Sequence, residues 1–101
     1  YRNKESNIYG DVGKIMEEKV TIIFYITNRN EKYDIEVPLD ISTRELVIGL
    51  NTAYDLKIDT NDIKNCYLKM DNPIMLLRGN MILRDTGIRN GSSIIFTEEK
   101  R

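Results

Sequence analysis

Val20 to Thr27 reads Val-Thr-Ile-Ile-Phe-Tyr-Ile-Thr, eight residues dominated by β-branched and aromatic side chains. Such residues favour the pleated surface of a strand. Side chains alternate across a strand, so Val20, Ile22, Phe24 and Ile26 share one face, and Thr21, Ile23, Tyr25 and Thr27 share the other. Both faces are largely apolar. A strand of that kind belongs in the middle of a sheet with something packed against it.

The downstream sequence supplies the rest of a small α+β unit. Asn28-Arg29-Asn30-Glu31 has turn chemistry, and Tyr33-Asp34-Ile35-Glu36-Val37 then alternates apolar with acidic. A half-buried second strand, hairpin-paired to the first, is predicted, with Pro38 ending it. Ser42-Thr43-Arg44-Glu45 forms a capping box, with Ile41 and Leu46 at the staple positions. A helix from Thr43 to about Asp55 is expected, with Leu46, Leu50, Ala53 and Tyr54 on its apolar stripe and Val47 at the stripe's edge. Gly49 inside it is read as allowing close packing of helix on sheet. Residues 57–65 read as a loop anchored in the core by Ile58 and Ile63. Cys66–Met70 reads as a third strand with Cys66, Leu68 and Met70 facing in and Tyr67 and Lys69 facing out. Ile74–Leu77 reads as a short fourth strand. Leu83 and Ile88 flank a 3₁₀-like turn, Asn90-Gly91 is a tight turn, and Ser93–Thr97 is the last strand.

Composition narrows the chemistry. The chain has 101 residues, which suits one domain. Its net charge of -1 lacks the basic surplus that nucleic acid or an anionic membrane selects, and no run is apolar enough to insert in a bilayer. There is no His, which removes the usual general base and most zinc sites. The single cysteine, Cys66, is read as a reduced, buried thiol of a cytoplasmic protein rather than a nucleophile. Asp34 and Glu36 read as a solvated strand face. Asp59, Asn61 and Asp62 lack the Gly and terminal Glu of a calcium loop. The expectation is a non-enzyme with no cofactor and no metal site. Residues 1–18 read as a polar tail or docking arm, and residues 19–101 as the domain. The polar start is unlike a signal peptide, and without an opening Met the chain is consistent with a segment of a longer protein.

The order hairpin, helix, strand, short strand, turn, strand is that of the β-grasp, or ubiquitin-like, fold: one helix across a mixed sheet of four to five strands. Met81–Phe96 resembles the ubiquitin-like ending. The stretch Leu83-x-x-Thr86-Gly87-Ile88-x-Asn90-Gly91 is most similar to the YukD family of bacterial ubiquitin-like proteins, over about Lys19–Thr97. This resemblance implies a small cytosolic accessory of a type VII (WXG-type) secretion system, or a domain fused to one of its membrane components. Conjugation is not expected, because the sequence closes on Thr97-Glu98-Glu99-Lys100-Arg101 and not on Gly-Gly. The alternatives are a ubiquitin-like regulatory domain of a larger protein and, in a different class, a modifier or carrier whose Gly-Gly tail lies beyond this sequence.

In a β-grasp sheet the outward set of each strand would share the face opposite the helix. That predicts a partner-binding surface of Ile23, Tyr25, Tyr67 and Ile95, with Lys69 at its rim. A protein partner or a second copy would use it. The tail residues Ile8, Tyr9, Val12 and Ile15 are the alternative cover.

Overall fold

A computed structural model describes residues 18–97. Five strands form one mixed sheet: β1 (Lys19–Ile26), β2 (Glu31–Pro38), β3 (Tyr67–Asp71), β4 (Met75–Arg78) and β5 (Ser93–Phe96). Their spatial order is β2-β1-β5-β3-β4. β1 and β5 run parallel, and the other neighbours are antiparallel. One helix, α1 (Thr43–Tyr54), packs across a single face. The first strand is interior to the sheet, as its two apolar faces require. Except for Glu18, the expected tail lies outside the described residues.

The hairpin closes through a 3₁₀ turn, Thr27–Arg29, and Asn30 takes the left-handed conformation at φ 52°. Asn tolerates that region better than most residues because its short side chain can bond locally. Val20, Ile22, Phe24 and Ile26 are buried beneath α1 with Val37, Leu68, Met70, Leu77, Ile94 and Phe96.

The capping box forms as the sequence requires. Ser42 Oγ accepts from the Glu45 amide at 3.1 Å, and Glu45 Oε1 accepts from the Ser42 amide at 2.8 Å. Two further donors of the first turn are taken by loop carbonyls: the Thr43 amide donates to Met81 O and the Arg44 amide to Gly79 O, each at 2.8 Å. Asp55 ends the helix in the left-handed region at φ 53°.

Three expectations about side-chain placement need correction. Val47 is fully buried whereas Ala53 is exposed. The stripe is rotated because the branched Val47 offers far more apolar area to the sheet than Ala53 does. Tyr54 does lie on the stripe, half-buried against the core with its ring 5.2 Å from Phe24 and 4.7 Å from Tyr33. Gly49 is exposed, and a Cβ there would meet nothing within 4 Å, so it does not serve close packing. Ile63 is 47% exposed and is no core anchor. Ile58 alone fills that role, its amide donating to Asn51 Oδ1 at 3.0 Å and its carbonyl accepting from Asn51 Nδ2 at 3.1 Å. The nearby Asp59 and Asp62 carboxylates accept from the Asn61 and Lys64 amides and serve as turn formers.

The Leu83–Gly91 stretch divides its work among its residues. Leu83 and Ile88 are buried. Thr86 Oγ1 donates to Leu83 O at 2.6 Å and closes the 3₁₀ turn. Gly87 lies at φ 84° and Gly91 at φ 91°, a region that L side chains enter only under strain. Asn90 Oδ1 accepts from the Thr21 amide at 2.8 Å, and the Gly91 amide donates to Thr21 O at 3.0 Å. The turn is thereby stitched to the start of β1, which sets the parallel register of β5.

Candidate functional site

The sheet face opposite α1 is assembled by register. Tyr25 pairs with Ile95, Ile95 with Lys69, and Lys69 with Leu76. These four residues form one row across β1, β5, β3 and β4, all out of phase with their strands' buried positions. Lys32 extends the row on β2, with its ammonium 5.1 Å from the centre of the Tyr25 ring. That placement is a cation–π contact on a largely solvated face. Along the neighbouring row, Ile23 pairs with Asp34 and Ser93, and Ser93 with Asp71. Tyr67 lies in the row on the other side, opposite Arg78.

All five residues expected from sequence therefore occupy the outer face. Tyr25, Ile95 and Lys69 are adjacent in one row. Ile23 and Tyr67 sit at opposite corners, on the order of 16 Å apart from strand spacing and rise. The expected patch is thus a diagonal band rather than a single spot. Ile23, Tyr25, Tyr67 and Ile95 are half-buried, and Lys69 is exposed.

Sequence reasoning missed where the band is most exposed. Leu76 is 38% exposed and Ile74, just before β4, 85%; Met75, 37% exposed, is in phase with Leu77 on the other face of this edge strand. Ile63, Cys66, Tyr67, Leu76 and Gly79, flanked by Lys64 and Arg78, line a shallow depression of about 390 Å³. A second, of similar volume, lies between Lys69, Asp71, Ile74, Met75, Leu76 and Ile95. Strand parity could have placed Leu76 on this face, since it is one step from the buried Leu77. A strand of four residues carries too little alternation to fix its own phase.

Among the described residues no group of three or more His, Cys, Asp or Glu side chains is placed to hold a metal ion. Cys66 stands just before β3 with its thiol fully buried, its Sγ 3.8 Å from the carbonyls of Thr60 and Asp62. What this surface offers is apolar and aromatic area interspersed with the charges of Lys32, Lys69, Arg78, Asp34 and Asp71. No helix among the described residues is long and apolar enough to cross a membrane.

No family model matches the chain, and no curated protein sequence matches it. Solved structures do resemble it. The C-terminal ubiquitin-like domain of mouse tubulin-specific chaperone e superposes with a TM-score of 0.67 at 11% identity, covering 90% of this chain and 97% of that one. The ubiquitin-like domain of an Arabidopsis thaliana protein gives 0.63 at 12% identity, covering 91% and 90%. That of Plasmodium falciparum Dsk2 gives 0.60 at 13% identity, covering 81% and 100%. At these identities the likeness is one of fold: the chain is a ubiquitin-like β-grasp.

Proposed function

We propose that this domain is a non-catalytic protein-binding module that engages its partner through the outer sheet face. The observation that carries this reading is the row Tyr25–Ile95–Lys69–Leu76, apolar or aromatic at three of its four positions on a face that no described element covers. Contiguous exposed apolar surface on a small domain marks an interface. Tyr supplies large apolar area with a polar tip, and Lys69 would steer an acidic partner more than hold it.

The finer reading is a cytoplasmic accessory of a bacterial type VII secretion system. Its support is the Leu83–Gly91 resemblance to the YukD family. A second reading has its own support: the similar solved structures are described as ubiquitin-like domains of larger proteins. On that reading the chain is a regulatory domain, and the same face would bind in cis or in trans.

A photo-crosslinking residue in place of Ile95, expressed in the source cells, separates the two. Adducts to WXG-type proteins or to a secretion ATPase support the secretion reading. Adducts confined to flanking segments of the same polypeptide support the regulatory one. The absence of any adduct at Ile95, with adducts from a probe on α1, would reject the outer face as the site.

A further inference from the structure

The two edges of the sheet are built differently. Edge strand β2 exposes Lys32, Asp34 and Glu36 and ends in Pro38. Charges and proline are the ordinary means of keeping an edge from pairing with another chain. Edge strand β4 has none of these before Arg78: its Met75 and Leu76, and Ile74 just ahead of it, are exposed and apolar.

Hydrogen-bond parity shows what that edge presents. The Gly79 amide donates to Cys66 O at 2.8 Å, and the register of β3 on β4 sets Tyr67 opposite Arg78. Bonded pairs recur every second residue in an antiparallel ladder, so Leu77 and Met75 point their backbone groups at β3. Leu76 therefore points its N–H and C=O away from the sheet. The corresponding groups of Arg78 are occupied, the amide by Met81 Sδ at 3.3 Å and the carbonyl by the Met81 amide at 2.9 Å.

We infer that β4 is a self-association edge, pairing antiparallel with the β4 of a second copy about a two-fold axis at Leu76. A dyad there joins Leu76 to its symmetry mate through both open backbone groups. The occupied groups of Arg78 confine the new ladder to this one pair, and the outward backbone groups of each Ile74 stay with water beside it. The same operation makes charge complementary. Arg78 falls beside the second copy's Ile74, and the next residue in that row is the second copy's Asp71, roughly 10 Å away between Cα atoms and within joint side-chain reach. Symmetry forms this pair twice. Lys69 and its mate stay apart, separated by both β4 strands. The two outer faces then join into one sheet surface across the dyad. The contact is small, so the association is weak.

Self-association at this edge does not depend on the partner-binding reading, and sedimentation velocity tests it. From about 10 µM to about 1 mM the wild-type chain should shift from monomer to dimer, as weak interfaces do. Leu76→Lys sets like charges at the dyad and should keep the chain monomeric across that range. Arg78→Asp should also abolish the dimer, and the swap Arg78→Asp with Asp71→Arg should restore it. Amide exchange in the wild type should slow at Leu76 as concentration rises, a measurement that no variant's stability affects. Ile95→Asp should dimerise like the wild type. A monomer at every concentration, a dimer indifferent to Leu76→Lys, a swap that fails to restore it, or loss in Ile95→Asp would each overturn the inference.

Discussion

Gly49 stands in the second turn of α1, on an exposed face with open space around it. Its backbone freedom in the unfolded chain is lost on folding with no packing in return. Gly49→Ala should therefore stabilise the domain by about 0.5–1 kcal/mol, read as a higher denaturant midpoint at unchanged slope. A destabilised variant would mean that the helix surface is covered by something in solution. Ser42 is the opposite case. Its hydroxyl satisfies the Glu45 amide, and Ser42→Ala should cost about 1 kcal/mol by the same measurement.

At the scale of elements, one ion cluster ties the start of β1 to the segments before α1 and β5. Arg84 grips Asp40 with two bonds, Nε to Oδ1 at 2.7 Å and Nη2 to Oδ2 at 3.1 Å, and also reaches Glu18. The hydrogen bond from Arg84 holds the Asp40 carboxyl below the usual aspartate range. A depressed carboxyl stabilises the fold above its unfolded pKa, and that contribution fades as pH falls through the depressed value. Arg84→Met should accordingly be less stable than wild type at neutral pH, with the gap closing in acid below the ordinary aspartate range. The cluster is exposed, so the gap is small. A gap that persists unchanged into strong acid would show that Arg84 acts through packing alone.

The elements themselves were legible where local chemistry leaves one solution. The capping box fixed the start of α1, and the β-branched run of β1 fixed both its place and its two faces. Legibility failed where tertiary context chooses among equals. Nothing local tells Ile58 from Ile63 as the buried isoleucine; the Asn51 side chain that brackets Ile58 decides it. Nothing local shows that Gly49 faces water. At the site, Ile23, Tyr25, Tyr67, Lys69 and Ile95 could be placed by strand parity. Leu76 and its edge required the register between β3 and β4, which no short segment encodes by itself.

The whole molecule is asymmetric: α1 covers one face of the sheet, and no described element covers the other. The central claim is that the uncovered face is functional surface and not misplaced core. Ile94 and Ile95 are neighbours in β5, the first fully buried under α1 and the second half-buried on the outer face. The most direct measurement sets their aspartate variants side by side in thermal unfolding and in binding to the partner crosslinked at position 95. Ile94→Asp should unfold the domain, because an unpaired carboxylate in the core costs several kcal/mol. Ile95→Asp should fold with little loss of stability and bind the partner more weakly by roughly 1–3 kcal/mol. An Ile95→Asp variant that unfolds like Ile94→Asp, or that folds and binds with undiminished affinity, would contradict the account.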